Sequence, residues 1–264
     1  MNITKAERRT SIIRKYFNLE GARILEIGAL NSPTFTREEF RVEYADYASK
    51  TELAKENKAN PRYAIDGLVD VDHVISGQKY HEVIEGKFDI VVANHVVEHV
   101  PDVLGWLHDL GQLLLPNGIV FLSVPDRRFT FDIARRESNF IDLLRPHINR
   151  QSKPDFFNIL DHFWHYKPVK VADVMAGRHH ELMKAMRLSP EAAISQAVRV
   201  SELPYAAVHC HVFTDTSFAE TFALLREFGY LAYGDIRVQP TEVGSQEFHA
   251  VLGGFDASLY RHRA

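Results

Sequence analysis

One cysteine, Cys210, is all the thiol chemistry this chain has. It excludes an intrachain disulfide and an all-cysteine metal site, and it fits a reducing compartment. No apolar run approaches membrane-spanning length, and the opening M-N-I-T-K-A-E-R-R lacks the apolar stretch of a signal peptide. The expected location is therefore cytoplasmic. Dense basic runs are missing as well. Lys and Arg number 31 against 35 Asp and Glu, a net charge of -4, which gives no reason to expect nucleic acid. The chain has no internal repeats and no low-complexity segments, and it lacks the full G-x-G-x-x-G of a dinucleotide-binding turn. What remains is ordinary globular composition, 45% hydrophobic and 25% charged over 264 residues. That length suits one large domain, or a domain carrying an insertion.

The organising stretch is 22–32, A-R-I-L-E-I-G-A-L-N-S. Its apolar run 24–27 reads as a strand buried on both faces, and it breaks at Gly28 into a polar turn closed by Asn31, Ser32 and Pro33. In an open parallel α/β sheet, such a first strand-to-turn junction is where a nucleotide-like cofactor meets the backbone. Asp46 closes the next apolar segment, 42–46, about 20 residues on. At that distance a second strand delivers a carboxylate to a ribose.

The rest of the pattern supports a doubly wound sheet. Residues 4–17 read as a helix with Ile12, Ile13, Tyr16 and Phe17 as its apolar patch, covering one end of the sheet or acting as a flap. Residues 51–57 form a short helix stopped by Asn60 and Pro61, and 69–75 a modest third strand carrying Asp70 and Asp72. Residues 88–93 are a clear fourth strand ending at Asn94 and His95. Pro101 suits the first position of a helix, with Val103, Leu107, Leu110 and Leu114 at helical spacing and Pro116, Asn117 and Gly118 ending it. Residues 119–124 are a fifth buried strand leading into Asp126, Arg127 and Arg128. Five strand-like runs separated by helices or turns predict a parallel sheet.

An interruption of roughly 80 helical, polar residues follows, far longer than an ordinary connection. The helix 217–228, closed by Gly229, and an antiparallel edge pair at 231–238 and 247–252 complete the chain. The expected layout is a core with an N-terminal helix over 1–128, a helical insertion over 129–210, and the remainder of the core sheet over 211–264.

These motifs, in this order, resemble class I S-adenosylmethionine-dependent methyltransferases over about residues 20–126, and the last helix and hairpin match in topology. E-I-G-A-L matches the glycine-rich first motif, Asp46 the acid of the second strand, and F-D-I-V-V-A-N-H-V-V-E-H-V the fourth-strand motif. L-L-L-P-N-G-I-V-F-L-S-V-P matches the helix, turn and fifth strand. The resemblance implies a Rossmann-like seven-stranded sheet and S-adenosylmethionine as cofactor. It places Glu26, Gly28, Ala29, Asp46, Asn94 and His95 at the cofactor. Leu30 and Ser32 stand where the family pattern has its second and third glycines, giving a G-x-L-x-x-P variant of the loop. Similar chains with that loop act around surface polysaccharide assembly. The acceptor implied is a small molecule or glycan, a sugar or sugar phosphate being favoured, with the insertion as its lid.

Asp126, Arg127 and Arg128 at the end of the fifth strand suit a phosphate or carboxylate on the acceptor, or an ion-pair cluster with Asp132 or Glu137. His209 and His211, two apart on a strand-like segment, would face one side as a general base and its partner, as two metal ligands, or as structural histidines. We expect the base and no bound metal. His162 and His165 in the aromatic run 161–166 read as acceptor contacts or as a lid packed on itself. Two other functions fit parts of the chain. A cofactor-binding or scaffold module without catalysis follows from Leu30 and Ser32. A zinc hydrolase follows from H-x-x-E-H at 95–99, with His95 and His99 as ligands and Glu98 as base. The latter needs both histidines inside one helix, and Pro101 leaves hardly a turn for it.

Overall fold

The computed structural model describes residues 3–58, 64–184, 188–203 and 205–261. Thr4 caps α1 (Lys5–Ile13) reciprocally with Glu7, and the helix buries Ile12 and Ile13. β1 (Arg23–Ile27) and β2 (Arg41–Asp46) follow, then α2 (Lys50–Asn57), β3 (His73–Val74), α3 (Tyr80–Val83) and β4 (Phe88–Asn94). The strands run in the order β3-β2-β1-β4, continuing to β5 (Leu114–Pro125) beside β4 after α4 (Val103–Gly111). These five pair in parallel. The sheet is finished by β6 (Tyr233–Gln239) and β7 (Glu247–Phe255), β7 lying antiparallel between β5 and β6. Seven strands with an antiparallel C-terminal edge are what the sequence pattern predicts.

The mostly apolar character of β1 and β4 has a plain cause: both sheet faces are covered. Leu25, Ile27, Val91 and Ala93 pack on one side. Leu104, Leu107 and Leu110 of α4 lie there, as do Phe218 and Phe222 from the helix that precedes β6. Ile24, Ile90 and Val92 pack on the other, under Ile12 and Ile13 of α1. The N-terminal helix thus covers a sheet face.

Between β5 and β6 the chain forms α5 (Phe140–Ile148), α6 (Phe156–His165), α7 (Val171–Met175), α8 (His179–Lys184), α9 (Pro190–Ser201) and α10 (Asp215–Glu227). α5 sends Leu143 into the main core, whereas α6 and α9 share a core of their own around Ile159, Ala197 and Val200. Gly229 follows α10 at φ 78°, the left-handed turn a helix end favours.

Three local predictions need correction. The third strand is only His73–Val74, because Asp72 accepts a hydrogen bond from the Tyr44 amide and another from Arg37 instead of extending the ladder. Pro101 lies outside α4: Asp102 is the cap, its carboxylate accepting from the Gly105 amide at 2.8 Å. Leu114 is already in β5, and Pro116, Asn117 and Gly118 form an irregularity within that strand, Asn117 at φ 67°. Helical spacing overran there because Leu110 and Leu114 drop into the same core. Asn60 and Pro61, the expected stop of α2, lie outside the described residues.

Candidate active site

The carboxyl ends of β1, β2 and β4 open into a cavity of about 1030 Å³, walled on the far side by the insertion. Gly28, Leu30, Asp46, Tyr47, Asn94 and His95 line the sheet side, and Phe131, His162, Tyr166, Tyr205 and His209 the other. Tyr47 and Tyr205 stack across it with ring centroids 4.3 Å apart.

The loop after β1 is built on left-handed backbone. Gly28 has φ 68°, and a Cβ there would lie 3.0 Å from Cγ2 of Val96. Leu30 adopts φ 49°, so the variant position keeps the conformation a glycine would supply, at the usual cost of about 1 kcal/mol for an L-residue. Its carbonyl accepts from the Val69 amide at 2.9 Å, and its side chain packs with Leu53 and Leu68. Those contacts hold the strained turn.

Glu26 latches the same loop from beneath. Fully buried, its carboxylate accepts from the amides of Thr34 (2.8 Å) and Phe35 (3.1 Å) and from Nδ2 of Asn94 (3.0 Å). Burial raises its pKa while the Thr34 and Phe35 amides oppose the rise. Asn94 also donates to Thr34 Oγ1 and accepts from Ser123 Oγ, so it faces the cavity on a fixed rotamer. Ala29 is buried in the loop and is not among the cavity-lining residues.

Asp46, 6% exposed, ends β2 and accepts from the Tyr47 amide at 2.8 Å. Burial pushes its pKa up to about 6. A carboxylate so placed at the rim of a cavity gains from further donors.

His95 sits at φ 55° immediately after β4, its Nε2 2.6 Å from Glu247. Arg9 clamps Glu247 from α1. Burial would lower the His95 pKa, but Glu247 and Glu98 together push it up to about 9. Val97–His99 is a single 3-10 turn. With His95 turned to Glu247, the two ligands of the hydrolase reading do not share a helix face. The turn instead points Glu98 and His99 at His209. His209 Nδ1 is 2.6 Å from Asp132, and burial drives the neighbouring His162 down to about 3.

The expected partnership of His209 with His211 does not form. The amides of Cys210 and His211 both donate to the Glu98 carbonyl, at 2.7 and 3.1 Å, so the segment turns instead of extending. Strand alternation therefore fails. His211 is buried, its Nε2 donating to the Pro101 carbonyl at 2.9 Å, and it is not a cavity-lining residue.

The arginine pair is engaged in ion pairs, the second of the two arrangements expected for it. Asp126 is fully buried and holds Arg128, which also pairs with Asp215, while Arg127 pairs with Glu137 at 3.6 Å. None of the three lines the cavity. His165 pairs with Asp161 at 2.8 Å outside the cavity lining, whereas His162 is part of it. Sequence reasoning missed Tyr47, Asp132, Tyr205 and Glu247, whose roles depend on contacts between distant segments.

A family model described as a methyltransferase domain matches residues 5–230. The ubiquinone biosynthesis O-methyltransferase of Methylocella silvestris is 32% identical over 126 residues, 45% of this chain and 47% of that one. Its counterpart in Xanthomonas campestris pv. campestris is 34% identical over 133 residues, 48% of this chain and 54% of that one. The chain thus spans about half the length of the curated relatives it matches. Among solved structures, the CurJ carbon methyltransferase aligns over 96% of this chain and 56% of its own, at 15% identity and a TM-score of 0.44.

Proposed function

The chain belongs to the methyltransferase-domain family, and on that premise we propose that it transfers a methyl group from S-adenosylmethionine to a hydroxyl of a small molecule or glycan. The observation that carries this reading is Asp46, a buried carboxylate at the end of β2 that opens on the cavity with, among the described residues, a single backbone donor. Two ribose hydroxyls supply the donors it lacks, each charge-assisted bond contributing ~1.5–3 kcal/mol. Gly28 fits the same cofactor, because its missing Cβ leaves the backbone open beside Val96. Glu26 and Asn94 hold the loop that shapes that end of the cavity.

The cofactor, when bound, supplies an electrophilic methyl carbon on sulfur. The chain's own work is to bring an acceptor oxygen into line with it and to exclude water. The insertion, residues 129–210, does this as a lid: Phe131, Tyr166 and Tyr205 give it apolar walls, and His162 and His209 a polar floor. Asp132 fixes His209 with Nδ1–H outward and the Nε2 lone pair toward Glu98 and the cavity. That lone pair is where the acceptor hydroxyl is activated. An oxygen acceptor agrees with the relatives named O-methyltransferases. Aromatic walls beside a polar floor suit a sugar or sugar phosphate, which we favour within the class.

Calorimetry with S-adenosylmethionine, followed by turnover on a panel of sugar nucleotides, free sugars and catechols, tests this. Saturable cofactor binding with methylation of a hydroxyl compound is expected. Absence of cofactor binding at millimolar concentration overturns the reading. Binding with no turnover on any acceptor would favour a cofactor-binding module.

A further inference from the structure

We propose that Glu98, His99 and His209 form a binding site for a divalent transition-metal cation. Their ligand atoms all lie within 4.8 Å of one another, and Glu98 Oε1 is 3.9 Å from Nε2 of each histidine. Metal–ligand bonds of ~2.0–2.1 Å would draw such donors to roughly 3.3 Å apart. Small side-chain movements achieve that.

Three further observations point to a ligand and not to a chance meeting of polar groups. Glu98 is 1% exposed, and neither of its carboxylate oxygens accepts a hydrogen bond among the described residues. Its shortest ion-pair contact among the described residues is to Nδ1 of His95 at 3.5 Å, whose other nitrogen is held by Glu247, and this leaves the oxygens short of donors. A carboxylate buried in this way requires a cation or several N–H groups. The two histidines, moreover, are oriented as metal ligands are. His99 Nδ1 is 2.9 Å from the Val208 carbonyl, which can only accept, so this nitrogen carries the proton and Nε2 the lone pair. His209 Nδ1 donates in the same way to Asp132, itself paired with Arg135 at 2.9 Å. An outer acceptor that fixes the tautomer is the usual support of a ligating imidazole. Lastly, the backbone clamps the two halves of the site, since the Glu98 carbonyl receives the amides of Cys210 and His211.

The donor set selects the ion. Two imidazoles and one carboxylate suit zinc and its neighbours; magnesium and calcium prefer oxygen alone. Three protein ligands leave coordination positions open, and all three residues line the cavity. With the cation bound, an acceptor oxygen would occupy one of these positions and be activated by the cation, because the Nε2 lone pair of His209 is then a metal bond and acts as a base only in the metal-free chain. That last step rests on the methyl-transfer reading; the cation site itself does not. The site also differs from the H-x-x-E-H arrangement, because His95 is engaged by Glu247 and His209 takes its place.

The test uses the full chain stripped with a chelator and then titrated with Zn²⁺ by calorimetry and with Co²⁺ by visible absorption. Saturation at one equivalent is expected, with Co²⁺ bands of nitrogen and oxygen ligation. His99→Ala and Glu98→Gln, checked as folded by circular dichroism, should each weaken binding at least ~tenfold, and Asp132→Asn by ~10–100-fold through the tautomer it no longer fixes. No saturable binding to the wild-type chain overturns the site, as does binding that all three folded variants retain. If the variants do not fold, the wild-type Co²⁺ spectrum alone decides, and its absence counts against the proposal. Cofactor calorimetry keeps the two readings apart. Cofactor binding without metal binding removes only the metal site, and metal binding without cofactor binding removes only methyl transfer.

Discussion

Arg9 and Glu247 form a buried, two-pronged ion pair, with Nε 3.0 Å and Nη2 2.8 Å from the two carboxylate oxygens. It ties the first helix to the last strand, and Glu247 passes the contact on to His95 at the cavity. Hydrogen bonds from His95 and Arg9 overcome burial and hold the Glu247 carboxyl below the usual carboxylate range. Arg9→Ala leaves that buried carboxylate with His95 as its remaining partner. We expect a loss of ~3–5 kcal/mol in denaturant unfolding, the usual cost of removing one partner of a buried pair.

The same pair sets an acid limit. A carboxyl whose folded pKa is depressed stabilises the protein above its unfolded value of about 4.3, and that stability drains away as pH falls. Unfolding curves between pH 7 and pH 3 should therefore show a steep loss in the wild type. Glu247→Gln should flatten it. An equally steep loss in that variant would remove Glu247 as its source.

Asp46 behaves in the opposite sense. Its pKa is raised by burial to about 6, so the folded state favours the protonated acid, and stability declines as pH rises from about 3.9 through 6. Cofactor affinity should move the other way, because the ionised carboxylate is the better acceptor of ribose hydroxyls. Two results follow. S-adenosylmethionine binding strengthens between pH 5 and pH 7 in the wild type, and Asp46→Asn removes that dependence while raising Tm at pH 8. Asp46→Ala should weaken binding roughly tenfold or more. A dissociation constant unchanged in Asp46→Ala would rule the residue out as the ribose ligand.

How much of this was legible in the sequence depends on how far apart the partners stand. β1 and β4 announce themselves, because strands buried on both faces are mostly apolar, the buried Glu26 being the exception that serves the loop. The position of Asp46 follows from one strand length and one loop. By contrast, nothing near Glu247 marks it as the partner of Arg9, 238 residues away. The β3 reading failed because Asp72 spends its side chain on the Tyr44 amide and Arg37, and the α4 reading because a strand residue shared the helix's core. The ion pair of Arg127 with Glu137 was within reach of the sequence, ten residues apart, whereas the pairing of Arg128 with Asp215 joins distant segments and was not.

Gly28 gives a simple steric prediction. At φ 68° an L-residue is strained, and an added Cβ would meet Val96 at 3.0 Å. Gly28→Ala should cost about 1–2 kcal/mol of backbone strain. A valine, with its branched Cβ, should cost more and intrude on the cofactor end of the cavity. We expect Gly28→Val to abolish cofactor binding in calorimetry even in protein that circular dichroism shows to be folded. Wild-type affinity in that variant would mean that the cofactor does not approach this turn.

The histidine pair separates chemistry from packing most sharply. His209 presents its Nε2 to the cavity and is oriented by Asp132, while His211, two residues on, is buried against the Pro101 carbonyl. His209→Asn removes the lone pair at which the acceptor is activated, and turnover should drop by ~10²–10⁴-fold with cofactor affinity little changed. His211→Asn should leave turnover within about twofold and instead lower Tm, since a buried hydrogen bond to a carbonyl contributes only ~1 kcal/mol and touches no reacting group. Both quantities are read on the same two purified variants, once an acceptor is in hand. Equal loss of turnover in the two would show that the bend at Cys210, which both residues flank, matters more than the imidazole at 209. A loss confined to His209→Asn, with Asp132→Asn falling partway toward it, assigns the activation to that side chain and to the carboxylate that orients it.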